Sequence, residues 1–83
     1  MYPRVKDVQP NNADYTLTLT FANGEQGIFD MRPYLKVGIF KDLEDKQLFN
    51  SARPFLGSIK WPGGQDLCPD TLYLESKKIK EVR

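Results

Sequence analysis

The stretch Tyr15–Asp30, YTLTLTFANGEQGIFD, decides the fold. Tyr15, Leu17, Leu19 and Phe21 alternate with Thr16, Thr18 and Thr20. Successive side chains of a β-strand point to opposite faces, so the pattern predicts a strand with one apolar face and one threonine face. Asn23-Gly24 follows, a dipeptide suited to the positive backbone angles of a hairpin turn. The return strand is predicted over Gln26–Asp30, and its register depends on the length of the loop. A two-residue loop pairs Leu19 with Ile28. A three-residue loop with Gly24 in the left-handed conformation pairs Leu17 with Phe29. The second is expected, because it buries the larger side chain.

Outward from the hairpin the signals weaken. Upstream, Val5 and Val8 lie in a short segment closed by Pro10 and Asn11-Asn12, which predicts a first strand. Their spacing of three breaks strict alternation and suggests a bulge. Downstream, Asp30 is placed to cap a short helix with Pro33 in its first turn, and Gly38 to stop it. Phe40 and Leu43 are expected beneath a connecting turn. Asp45 is expected to cap a second short helix through Asn50, offering Leu48 and Phe49 to the core. From Pro54 the period returns to two: Phe55, Gly57, Ile59 and Trp61 on one side, Leu56, Ser58 and Lys60 on the other. Pro62-Gly63-Gly64-Gln65 predicts a turn, Asp66-Leu67 a short return strand, and 69–76 a final helix. Hairpins without long crossovers imply the α+β class. The expectation is a small, mainly antiparallel sheet with two or three short helices packed on one face.

Eighty-three residues without linker, repeat or low-complexity tract make a single domain over 1–83. A chain of this size buries only about 60% of the surface it exposes when unfolded, so a partner or self-association would add stability. The composition, 40% hydrophobic and 28% charged, is that of a soluble globular domain. Twelve basic against eleven acidic residues give a net charge of +1, which draws the chain to neither nucleic acid nor anionic membrane. The N-terminal MYPRVKDVQP has no apolar run that would predict a secretory signal, and one cysteine forms no intrachain disulfide. The expected location is the cytoplasm.

Chemistry concentrates in WPGGQDLCPDTLY, Trp61–Tyr73. Histidine is absent from the chain, which removes the usual general base, the commonest zinc ligand and every Ser-His or Cys-His nucleophile pair. With one cysteine and no histidine, no structural zinc site is expected. Cys68 is expected at the cap of the final helix, ahead of Pro69, where cysteine caps poorly. Asp70 then falls at the second helical position, where a negative charge suits the dipole, and Asp66 is expected to bond amides in the turn. Gly63-Gly64 lacks the context of a phosphate loop. No catalytic residue, cofactor or metal is assigned. Trp61, Asp66, Asp70 and Tyr73 are the candidate partner-binding residues, with core burial the stronger expectation for Trp61. The basic KKIKEVR end could touch phosphates, but is expected to be a solvated, frayed tail.

The assembled features resemble domain-of-unknown-function family 2442. The matching elements are Val5-Lys6-Asp7-Val8, the strand 17–21 leading into Asn23-Gly24-Glu25, and Phe29-Asp30 before Pro33 and Leu35. Phe40, Leu43 and Leu48-Phe49 follow. The strongest match is Ile59-Lys60-Trp61-Pro62, Gly64, Asp66-Leu67, Pro69-Asp70 and Leu72-Tyr73. The resemblance implies a small prokaryotic α+β domain with no established activity. Relatives often have Ser or Asp where this chain has Cys68, which argues against a cysteine nucleophile. Some carry a helix-turn-helix domain after this one, and many are encoded beside another small protein, in an arrangement like a toxin–antitoxin pair. The resemblance therefore implies a non-enzymatic interaction or regulatory module. Its partner would be a small protein encoded nearby, or a second copy of itself in a homo-oligomer. Two alternatives stay open: a nucleic-acid-associated regulator lacking its own helix-turn-helix, and a small-ligand binder or enzyme at the Asp66–Asp70 turn.

Overall fold

The computed structural model describes residues 2–78. Strands β1 (Val5–Asn11), β2 (Thr16–Phe21) and β3 (Gln26–Asp30) form an antiparallel meander. Leu17 pairs with Phe29, the register of the three-residue loop. The loop is closed by the Phe21 N–H donating to the Glu25 carbonyl at 2.8 Å and the Gly24 N–H to the Phe21 carbonyl at 2.9 Å. Gly24 has φ +91°. Leu17, Leu19, Phe21 and Phe29 are all buried, and the threonines of β2 face the other way, half-exposed. The bulge is present in β1, where the register shifts between Val5 and Asp7.

Between the sheets of the fold the chain runs through tight turns. Arg32–Tyr34 is a single 3-10 turn, and a second 3-10 segment spans Gly38–Glu44. Asp30 is not the helix cap. Met31 holds that position, and Asp30 Oδ1 instead accepts from the Arg32 backbone N–H at 2.9 Å while its carboxylate pairs with the Arg32 guanidinium at 2.8 Å. Gly38, with φ +50°, opens the second segment rather than ending a helix. The next helix, α1 (Lys46–Phe49), is capped by Asp45, whose side chain accepts from the N–H groups of Gln47 and Leu48. Leu43 and Phe49 are buried, and Phe40 and Leu48 pack against the core.

The run after Pro54 is two strands, not one. Strand β4 (Arg53–Phe55) turns back at Leu56-Gly57 into β5 (Ser58–Lys60), with Phe55 opposite Ser58. A two-residue turn puts Phe55 on the face of Ser58, not of Ile59, so Phe55 points outward while Ile59 and Trp61 are buried. A second glycine turn, Trp61–Gln65, leads into β6 (Asp66–Leu67). Helix α2 (Pro69–Glu75) follows, with Cys68 at the cap making no side-chain bond. The strands therefore divide into two antiparallel sheets instead of the single one expected. One has the order β1-β2-β3-β7, the other β4-β5-β6. Strand β7 is Lys77–Lys78, which pairs with Gly27 and Ile28 of β3. The start of the basic end is thus a sheet edge rather than a frayed tail; Lys80 and the residues around it lie outside the described range. The class is α+β.

Both sheets and the helices share one core. The Trp61 indole N–H donates to the Phe49 carbonyl at 3.0 Å, and Tyr15 meets the edge of Phe49 at 5.1 Å between ring centroids. This aromatic chain ties the meander to the small sheet through α1. The Val5 N–H also donates to the Gly57 carbonyl at 2.9 Å. Two tyrosines pin α2: Tyr34 donates to Glu75 at 2.5 Å, and Tyr73 to Glu25 at 2.6 Å. No helix among the described residues is long and apolar enough to cross a membrane.

Candidate functional site

The residues of Trp61–Tyr73 are not gathered at one place. Trp61 is 1% exposed and its single polar atom is satisfied inside the core, so it cannot act as a surface anchor. Tyr73 is half-buried at the meander end. Its ring stacks on Tyr2 at 5.4 Å and meets Phe21 edge-on at 5.1 Å, with Lys78 Nζ 3.7 Å above it. Hydrogen bonding to Tyr73, and then to Asn23, holds the Glu25 carboxyl below its ordinary range, while the same bond to Glu25 pushes the Tyr73 hydroxyl up. The polar groups of Asn23, Glu25, Tyr73 and Lys78 are bonded to one another, which makes this cluster a strut.

Asp66, Cys68 and Asp70 are all exposed. Asp66 makes no side-chain hydrogen bond among the described residues. The turn before it is held by backbone instead: the Trp61 N–H donates to the Gln65 carbonyl and the Gly64 N–H to the Trp61 carbonyl, both at 3.0 Å. Gln65, not Asp66, is the polar residue that this turn buries. Its amide donates to the Ile39 carbonyl at 2.9 Å. Asp70 stands in the first turn of α2, where its charge suits the helix N-terminus. Among the described residues no group of three acidic or sulfur side chains is placed to hold a metal ion.

Asp66 and Cys68 do share a surface with something unexpected. They border a groove of about 420 Å³ whose walls are Phe55, Leu56, Ile59, Leu67 and Pro69, with Ser58 at the side. Ser58 Oγ donates to the Leu67 carbonyl, so it is occupied in holding β5 to the end of β6. Phe55 is 50% exposed and Leu56 78% exposed. A second recess, of about 270 Å³, opens on the other side of Phe55 between Arg53, Lys60 and Trp61. The tip of the β4–β5 hairpin is therefore an apolar ridge between two hollows.

The conformation of that tip is as unusual as its exposure. Leu56 has φ +50° and Gly57 +83°, the signs that the central pair of a type I′ turn requires. Such turns favour Asn, Asp or Gly at the first position; a leucine there costs about 1–2 kcal/mol. Burial does not offset that cost. The sequence alternates from Pro54 to Trp61 as one run, which places Leu56 in the middle of a strand. The usable signal was Leu-Gly between two short β-prone segments, the spacing of a two-residue hairpin.

A family model described as "Protein of unknown function (DUF2442)" matches residues 5–78, as the resemblance of the motifs implied. No curated protein matches the chain, and no solved structure does. The chain belongs to the DUF2442 family.

Proposed function

We propose that this member of an uncharacterised family is a non-enzymatic interaction module of the cytoplasm. Its contact surface is the β4–β5 hairpin tip, and its partner is a small protein encoded beside it, as in a toxin–antitoxin-like two-gene system. One observation carries the choice of surface. Leu56 is held at positive φ and 78% exposed, so neither backbone preference nor core packing accounts for a leucine there. Strained and exposed apolar residues cluster where a protein meets a partner. Phe55 and the groove walls Ile59, Leu67 and Pro69 extend the patch, while Asp66 and Cys68 give it a polar rim. That is the anatomy of a small interface, apolar at the centre and polar at the edge. The occupant expected is an apolar segment of the partner, with one large side chain entering the groove beside Leu56. The gene-pair arrangement comes from the family resemblance alone.

The test is copurification with the product of the flanking gene, comparing the wild type with Leu56→Asn. Asn is the better turn residue, so the variant should fold at least as well. Retention of the neighbour by the wild type and its loss from L56N is the result expected. Equal retention by both would sink the hairpin tip as the contact. Failure of the wild type to retain it would sink the two-gene reading.

A further inference from the structure

Two cations face each other across the outer face of the small sheet. Arg53 of β4 lies directly opposite Lys60 of β5. Like charges in that position destabilise an antiparallel pair. Neither makes an ion pair or a side-chain hydrogen bond among the described residues. Lys60 has Asp66 opposite it on its other side, yet its ammonium lies 4.7 Å from the centroid of the Phe55 ring instead. Both cations border the recess of about 270 Å³, whose remaining walls are Pro54, Phe55, Trp61 and Pro62, with Ser51 alongside. The site combines apolar walls, one sign of charge and, among the described residues, no counter-ion.

We propose that this recess binds a carboxylate carried on a short apolar body. The Arg53 guanidinium is a planar fork that matches the two carboxylate oxygens, and Lys60 supplies a second, point-like charge. The apolar body lies against Pro54, Pro62 and the Phe55 ring. Binding also removes the repulsion between Arg53 and Lys60, so the occupied sheet is relieved of a strain that the free sheet carries. The volume is just below the range of about 300–1,000 Å³ typical of drug-sized ligand sites, which points to a guest the size of a single aromatic or branched acid. The group can arrive as a free small acid, or as an acidic side chain next to an apolar residue in a protein. The site stands on its own geometry and does not rest on the hairpin tip meeting a partner.

The experiment follows backbone amide shifts of the ¹⁵N-labelled protein on titration with phenylacetate and with acetyl-Glu-Phe-amide, phenylacetamide serving as the uncharged control. Phenylacetate should move the amides of Ser51, Phe55, Lys60 and Trp61 saturably. It should bind at least about tenfold tighter than phenylacetamide, the effect of a charge-assisted hydrogen bond. Arg53→Gln with Lys60→Gln should erase that preference while the spectrum stays dispersed, and Arg53→Lys should lose part of it. Leu56→Asn should leave it intact, which separates this site from the hairpin tip. Tighter binding of the dipeptide would identify an acidic side chain as the guest, and tighter phenylacetate a free acid. Equal binding of phenylacetate and phenylacetamide would overturn the proposal, as would shifts confined to other residues or none up to the solubility of the probes.

Discussion

Two hairpin turns of this molecule solve the same problem with different residues. At Phe21–Glu25, Gly24 takes the positive φ and Asn23 reinforces the loop. The Asn23 side chain accepts from the Glu25 N–H and donates to the Glu25 carboxylate, both at 3.0 Å. Every residue type there suits the conformation it adopts. At Phe55–Ser58, Leu56 takes a positive φ with no help from its own side chain and stays in solvent. The turn is held from outside, by Arg4 donating to the Leu56 carbonyl and the Val5 N–H to the Gly57 carbonyl. Where local preference, packing and turn chemistry agree, the turn is explained by folding. Where they disagree, neither local preference nor packing explains the residue. The turn at Trp61–Gln65 belongs with the first kind: it repeats the same pair of backbone bonds, with Gly64 at φ +95° and a buried aromatic at its head.

The comparison can be broken most forcefully at those aromatic heads. Trp61→Ala should cost about 3–5 kcal/mol in urea unfolding, as core truncations of large aromatics do. A small loss would mean that Trp61 is less a core residue than its burial implies. Next come the glycines. Gly24→Ala should cost about 1–2 kcal/mol from backbone strain alone, since nothing lies within 4 Å of the added carbon. Gly57→Ala should cost more, because the same carbon would lie 2.5 Å from the Arg4 guanidinium, displacing the bond that Arg4 makes to the Leu56 carbonyl.

Leu56→Asn should move the other way, stabilising the domain by about 1 kcal/mol. A destabilised L56N would show that the leucine serves the fold, and would remove the contrast between the turns. Cys68→Ser should gain up to about 1 kcal/mol by giving α2 the side-chain cap it lacks, read from thermal unfolding. The smallest effect expected concerns pH. The bond to Glu75, and then burial, push the Tyr34 hydroxyl up from 10.0 to about 12. The folded state favours the protonated hydroxyl. Its contribution is therefore complete below pH 10 and lost as pH rises from there toward 12. The difference between wild type and Tyr34→Phe in urea midpoint should shrink across that window.

Legibility followed how local each signal was. The β2–β3 hairpin was readable down to two registers, because seven alternating residues and Asn-Gly fix the strand and the turn. Burying the larger Phe29 favours the one observed, with Leu17 opposite Phe29. The Asp45 and Cys68 caps were readable because a cap is decided within three residues. The candidate surface was not. The segment around Leu56 alternates well enough to pass for one strand, and only the burial of Ile59 against the exposure of Phe55 reveals the turn between them. Strand β7 is two residues long, and two lysines carry no periodicity at all.

The sequence by itself determined the α+β class, the first hairpin and the caps at Asp45 and Cys68, since each rests on a short local pattern. It favoured the observed register over one alternative, misplaced a cap at Asp30, and carried the family in motifs spread along the chain. The tertiary structure bore out the burial expected of Trp61, and it alone decided that the strands form two sheets and that Phe55 and Leu56 stand in solvent beside Asp66. Those outcomes depend on which distant surfaces meet. Alternation and turn residues state which side of a strand is apolar; they do not state whether anything arrives to cover it.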